Sequence, residues 1–190
     1  RINSFIDISF IDRFIICINM FNQLKYLHSN NILVSDMKLD NILLVEPSNI
    51  YFIDTGSFQI EDYVCGVSLA SYMHKDLIGK DLRKTLRSIE QEYFPIFTIA
   101  FEIIVGKKPF YNFKSGEMVA ASGRDFKFPK TVTKTIQDQK DPLFIWANID
   151  QRVRDVFYDY FKNDSITNLD SMISLFTIIL NEKGVEVWTI

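Results

Sequence analysis

The sequence predicts a single domain that is mainly α-helical and carries one small β-hairpin. The chain has 190 residues, a length that suits one domain. Hydrophobic residues make up 47% of the chain, which is enough to build a core. Most of the long apolar segments repeat at helical spacing, and only two short runs are rich in strand-forming residues.

Composition excludes several function classes. The net charge is -3, so no basic surface is expected and we predict no nucleic-acid partner. The two cysteines, Cys17 and Cys65, belong to no metal-binding motif and favour a reducing compartment. The first apolar stretch is interrupted by Asp7, Asp12 and Arg13, so we predict neither a membrane span nor a signal peptide. We therefore expect a cytoplasmic protein.

The first half of the chain predicts a helix followed by a hairpin. Apolar residues recur at steps of three and four over residues 8–28, and the asparagines of "HSNN" can end that helix. The β-rich runs 41–45 and 50–53 predict two strands. The tetrapeptide "EPSN" between them, residues 46–49, fits a type I turn because its proline stands at the second position.

The second half predicts a buried helix and two amphipathic ones. Residues 57–88 show no periodicity, whereas the run from Tyr93 to Val105 is apolar almost all round. Because Pro95 is tolerated only in a first turn, we expect this helix to start near Tyr93, and Gly106 can end it. Amphipathic patterns predict two further helices, at 149–162 and 169–181.

The hairpin gathers oxygen ligands at its open end. Asn41 follows Asp36 by five residues, and Asp54 follows Asn41 by thirteen, so that a strand, a turn and a strand fill the gap. Carboxylate and amide oxygens suit Mg²⁺, which relies on phosphate oxygens and water for its other ligands. Lys38 can reach a phosphate, and Gly56 frees the backbone beside Asp54. This set indicates phosphoryl transfer, although Asp and Asn are also common hairpin-end and capping residues.

These residues resemble two motifs of the protein kinases. "YLHSNNILVSDMKLDNILL" is similar to the catalytic loop that carries His-Arg-Asp-x-Lys-x-x-Asn, with Val34 and Ser35 at the His and Arg positions. "IDTGSF" resembles the Asp-Phe-Gly element, with Thr55 in place of Phe. The wording "DTGSFQI" is closer to a bacterial subgroup of Ser/Thr kinases.

The resemblance assigns a role to each residue of the hairpin site. It implies an enzyme that uses ATP and Mg²⁺ to phosphorylate a protein substrate. Asp36 would accept the proton of the substrate hydroxyl, and Lys38 would neutralise the transferred phosphoryl group. Asn41 and Asp54 would bind the metal ions and thereby the nucleotide.

The likeness covers roughly residues 5 to 180 but is eroded in places. Lys75 and Asp76 stand at the Pro and Glu that end the family's activation segment, and Glu92 replaces the Asp that opens its central helix. No arginine occurs near 164–167, so the usual ion pair with the Asp76 position is expected to be lost. Since Ser35 replaces the arginine that would bind a phosphate, we predict no control by activation-loop phosphorylation.

The chain lacks a glycine-rich phosphate loop and a Val-Ala-Ile-Lys strand. The resemblance therefore implies a kinase-like C-terminal lobe over residues 1–190, an α+β fold without its N-terminal β lobe. We expect a fragment, as its start at Arg1 suggests, that needs an N-lobe from upstream or in trans for activity.

Two other functions stay open. The changes at Val34, Ser35, Lys75 and Glu92 favour a non-catalytic pseudokinase that binds a partner. A small-molecule phosphotransferase can share the Asp-x₄-Asn spacing, although residues 68–77, "SLASYMHKDL", which resemble the family's activation segment and are named the activation-like segment here, argue against it. His28 is expected to be a helix cap or a surface residue.

Overall fold

The computed structural model describes residues 8–45, 49–110, 125–132 and 136–186. Its five helices are α1 (Phe10–Ser29), α2 (Ile89–Val105), α3 (Pro142–Asn148), α4 (Gln151–Asn163) and α5 (Leu169–Glu182). Its four strands are β1 (Ile32–Leu33), β2 (Ile42–Val45), β3 (Asn49–Phe52) and β4 (Gln59–Ile60). The predicted fold, mainly α with a small hairpin, is confirmed in this part of the chain.

Helix α1 presents one apolar face to the rest of the protein. Ser9 caps it by accepting a hydrogen bond from the backbone N–H of Asp12 at 3.1 Å. The ring of Phe14 packs edge-on against that of Phe176 in α5, with centroids 4.7 Å apart. Asn31 adopts a positive φ of 56° just after the helix, so the predicted role of the asparagines in ending it is confirmed.

The predicted hairpin forms with a fixed register. Strands β2 and β3 pair antiparallel, with Ile42 opposite Phe52 and Leu43 opposite Tyr51. The predicted turn falls largely outside the described residues. The structure adds a second antiparallel pair, β1 with β4, which the sequence did not predict because each strand has only two residues.

The helix α2 forms the centre of the core. Ile96, Phe97, Ile99 and Phe101 are all fully buried, and Gly106 ends the helix at a positive φ of 82°. The predicted start near Tyr93 was wrong, because the helix begins at Ile89 and Pro95 lies in its second turn. The missing N–H of Pro95 costs one helical hydrogen bond, and the all-round burial of the helix outweighs that cost.

An aromatic cluster joins α2 to α3 and α4, and explains the abundance of phenylalanine. The ring of Phe101 lies at the centre of this cluster and contacts five other rings: Phe126, Phe128, Trp146, Phe157 and Phe161. Helix α3 was not predicted, although Asp141 caps it and Pro142 occupies its first position, as is common at helix starts. The predicted helices at 149–162 and 169–181 agree with α4 and α5 within two residues.

Candidate functional site

The loop between β1 and β2 makes a tight turn that places Asp36. Ser35 has a left-handed backbone with φ of 64°, and the N–H of Asp36 donates to the carbonyl of Val34 at 2.8 Å. Asp36 is 5% exposed, so its carboxylate is buried and requires partners. A left-handed serine directly before a buried carboxylate is the kind of strained backbone that clusters at functional sites.

Two predicted site residues provide those partners. Nζ of Lys38 lies 2.5 Å from Oδ2 of Asp36. The side-chain N–H₂ group of Asn41 donates to the carbonyl of Asp36 at 2.9 Å and to its Oδ2 at 3.4 Å. Because the amide nitrogen of Asn41 is hydrogen-bonded to Asp36, the amide oxygen is the atom of this side chain that can bind a cation. Oδ2 of Asp36 is occupied by these contacts, and Oδ1 has none with a described residue.

The register of the hairpin places Asp54 near Asn41 and Lys38. The N–H of Ile53 donates to the carbonyl of Asn41 at 2.9 Å, so Asp54 directly follows a residue bonded to the predicted metal ligand. Asp54 has a left-handed backbone with φ of 62°, and it is exposed. The hydrogen bond to Asp36 raises the pKa of Lys38, and the charge of Asp54 raises it further. All four predicted site residues therefore lie together.

Glu92 of α2 holds the backbone of the same loop. Its carboxylate is 2% exposed and accepts the N–H of Val34 at 3.1 Å and the N–H of Ser35 at 2.5 Å. His28, at the end of α1, donates from Nε2 to the same carboxylate at 2.9 Å. Glu92, which the sequence analysis counted among the changes that favour a pseudokinase, therefore fixes the backbone of this loop. His28 was expected to be a helix cap or a surface residue; it lies instead in the last turn of α1, where it is buried.

Arg87, just before α2, joins this loop to the segment after the hairpin. Its guanidinium donates to the carbonyl of Ser35, to that of Cys65 at 3.2 Å and to that of Val67 at 2.6 Å. Burial lowers the pKa of Arg87, and charges at neighbouring groups, Glu92 among them, act in the opposite direction. The sequence prediction did not include Arg87, which lies in the segment without periodicity.

The activation-like segment ends in two further contacts. Tyr72 is buried and donates its O–H to Oε2 of Glu102 in α2 at 3.0 Å. Nζ of Lys75 lies 2.9 Å from Oδ2 of Asp164, which follows α4. This pair differs from the one that was expected to be lost, because it involves Lys75 rather than Asp76 and its charges are exchanged. Both side chains are more than half exposed, so the pair adds little stability.

Of the four predicted site residues, Asp54 is exposed, whereas Asp36 and Asn41 are buried. Two cavities of about 540 and 550 Å³ occur elsewhere, and neither is lined by any of the four predicted site residues. Among the described residues, no three His, Cys, Asp or Glu side chains cluster as a metal site would require. An amide oxygen beside a carboxylate still fits Mg²⁺, which in proteins binds through one or two carboxylates plus phosphate oxygens.

No helix within the described ranges is long and apolar enough to cross a membrane.

A signal for the missed residues was present in the sequence. Glu92 and Arg87 are charged residues at the start of a strongly apolar helix, and buried charges require partners. Most of their partners are backbone groups, however, and a sequence pattern does not show which backbone groups a side chain reaches. Sequence reasoning therefore found the side chains suited to the chemistry and missed those that position the loop.

Comparison with known proteins supports a relation to protein kinases. The chain is 27% identical to human protein kinase C delta type over 125 residues, and 29% identical to protein kinase C-like 1 of Caenorhabditis elegans over the same length. Each match covers 64% of this chain and 18% of the relative, so the chain spans only a small part of these proteins. This weak homology supports a kinase-like fold and a kinase-related function.

The chain was also compared with protein-family models and with solved structures. The chain matches no protein-family model. Among solved structures, a chain of the yeast RNA Pol II CTD kinase CTDK-1 complex aligns with a TM-score of 0.48 and 22% identity. That alignment covers 56% of this chain and 35% of the other.

Proposed function

We propose that this chain is the C-terminal catalytic lobe of an ATP- and Mg²⁺-dependent protein serine/threonine kinase, of the bacterial type that "DTGSFQI" resembles. A small N-terminal lobe, supplied from upstream or in trans, would complete it. One observation carries the proposal: Asp36, Lys38, Asn41 and Asp54 lie together at the open end of the hairpin, joined by the contacts described above.

Asp36 is placed to act as the proton acceptor. Its Oδ2 receives Lys38 and Asn41, which leaves Oδ1 for the hydroxyl of a serine or threonine substrate. A general base must hold its position while the proton moves, and the two contacts fix the carboxylate in one orientation. Glu92 adds to this by fixing the backbone N–H groups of the two preceding residues.

Lys38 and the metal ligands would balance negative charge. The raised pKa of Lys38 keeps its ammonium protonated at neutral pH, so it can attract the transferred phosphoryl group. The amide oxygen of Asn41 and the carboxylate of Asp54 would hold Mg²⁺. Bound Mg²⁺–ATP would supply the phosphoryl group, and the charges of the site would offset those that develop during transfer.

The outer face of the hairpin fits the proposal of a second lobe. Leu43, Val45 and Tyr51 point outward and are 41%, 44% and 52% exposed. Contiguous apolar side chains on a protein surface often mark a site that another domain or partner covers. An N-lobe over this face would cover them, and it would convert the open surface beside Asp54 into a cleft.

Titration of Mg²⁺–ATP into the full-length protein and its Asp54→Asn variant tests the metal assignment. Asparagine tolerates the left-handed backbone of this position, so the variant removes charge and little else. We expect ATP affinity to lose its dependence on Mg²⁺ in Asp54→Asn, and to keep it in Asp62→Asn, an exposed control in the next turn. Parent-like binding of Mg²⁺–ATP by Asp54→Asn would make the metal assignment wrong and favour the pseudokinase.

A further inference from the structure

The guanidinium of Arg87 is buried without a carboxylate partner in the described part of the chain. Arg87 is 7% exposed, and its two terminal nitrogens donate to three backbone carbonyls. Burying a charged group is costly unless its donors are satisfied. An arginine devoted to backbone carbonyls at this cost indicates a role in fixing the segments to which those carbonyls belong.

The three carbonyls belong to two separate segments. One is that of Ser35, the residue before the proposed proton acceptor. The other two, of Cys65 and Val67, belong to residues 59–68, which we name the anchored segment. This segment leads from the proposed metal ligand Asp54 to the activation-like residues. Arg87 therefore bridges the catalytic loop and the segment that would bear the substrate.

A second contact fixes Arg87 itself. The side chain of Gln59, which is 4% exposed, accepts the backbone N–H of Arg87 at 2.8 Å and donates to its carbonyl at 3.0 Å. The anchored segment is thus bound to Arg87 through both the main chain and the side chain. Glu92 accepts the N–H of Ser35 while Arg87 donates to its carbonyl, so two charged residues near the start of α2 fix the two peptide groups that flank Ser35.

We propose that Arg87 is a positioning residue that anchors segment 59–68 to the catalytic loop without a phosphate. This inference rests on the proposed function. The position of Ser35 has no cationic side chain to attract a phosphorylated residue. Arg87 provides a cation from another element and binds the segment through its carbonyls instead. The alignment of the substrate segment is then built into the fold and does not depend on phosphorylation.

Labelling of Cys65 tests the anchor independently of activity. Cys65 is 6% exposed and lies inside the anchored segment, whereas Cys17 is fully buried in the core. In Arg87→Lys the positive charge remains, but one ammonium group cannot span three carbonyls. We expect alkylation of Cys65 in the full-length protein to become about tenfold faster, because the segment opens locally, with Cys17 still unreactive. Arg83→Lys, an exposed control nearby, should react like the parent.

Kinetic measurements on the same variants test whether the anchor aligns the protein substrate. A misaligned substrate segment raises KM for the protein substrate, whereas a smaller folded fraction lowers only kcat. We expect Arg87→Lys to raise this KM about tenfold and to leave Mg²⁺–ATP affinity unchanged. Unchanged Cys65 labelling, labelling of Cys17 together with Cys65, or a fall in kcat at constant KM would each overturn the proposal. If the parent transfers no phosphate, the proposed function fails, and the labelling rates alone decide on the anchor.

Discussion

Replacing Glu92 with glutamine tests whether this side chain organises the loop between β1 and β2. The carboxylate accepts three hydrogen bonds, from the backbone N–H groups of Val34 and Ser35 and from His28. Glutamine has nearly the same shape, but it has one acceptor oxygen, and its amide nitrogen would face a donor. The variant therefore leaves at least one buried N–H without a partner and removes the charge from the remaining bonds.

The expected loss follows from these contacts. A hydrogen bond to a charged group contributes about 1.5–3 kcal/mol, and an unsatisfied buried donor costs about 1–3 kcal/mol. Counting one lost bond and the weakening of the others, we expect Glu92→Gln to lower the free energy of unfolding by about 2–4 kcal/mol. For a chain of this length, that corresponds to a fall in Tm of roughly 5–15 °C.

Urea unfolding of the parent, Glu92→Gln and Glu90→Gln measures this loss. Glu90 lies in the first turn of the same helix but is exposed, so its variant should change stability by about 0.5 kcal/mol or less. Glu92→Gln should also lower kinase activity beyond the loss explained by its folded fraction. Equal stability of the two variants would refute the reasoning that Glu92 holds the loop.

Two further predictions concern the activation-like segment. Burial raises the pKa of Glu102 above its ordinary 4.5, so the folded state keeps a proton that the unfolded chain loses, and stability falls as pH rises through this range. The side chain of Glu102→Gln can still accept a hydrogen bond from Tyr72. Urea unfolding should therefore show this variant to be more stable than the parent at pH ~7 but not at pH ~4. An equal difference in stability at both pH values would contradict this. Lys75→Ala should change the unfolding free energy by less than about 1 kcal/mol, since its ion pair with Asp164 is exposed, and a larger loss would show that the pair is structural.

The sequence predicted the elements whose causes are local. Helix α1 and the hairpin follow from periodicity, strand propensity and asparagine caps, which act between residues close in the chain. The helix α2 was predicted too short, because Pro95 is a strong local signal while the burial that outweighs it depends on distant residues. The pair β1–β4 was missed for the same reason, since two-residue strands are determined by their partners.

The candidate site divides in the same way. Asp36, Lys38, Asn41 and Asp54 were predicted because phosphoryl transfer demands these side-chain types at a spacing that a hairpin can close. Glu92 and Arg87 both bind the backbone of Ser35, which lies more than 50 residues from either of them along the chain. Backbone groups are the same at every residue, so no pattern of side chains indicates which of them a buried charge will bind.

Phosphoryl transfer by the full-length protein and its Asp36→Asn variant tests the central claim most directly. The measurement is incorporation of label from γ-labelled ATP into a protein substrate in the presence of Mg²⁺, alongside Mg²⁺–ATP affinity. The proposal predicts a parent that transfers label and a variant that binds Mg²⁺–ATP as the parent does but transfers at a rate lower by about 10²-fold or more, because the proton acceptor is lost while Asn41 and Asp54, the proposed metal ligands, remain. Transfer by Asp36→Asn at the rate of the parent would contradict the assignment of this hairpin as the catalytic site.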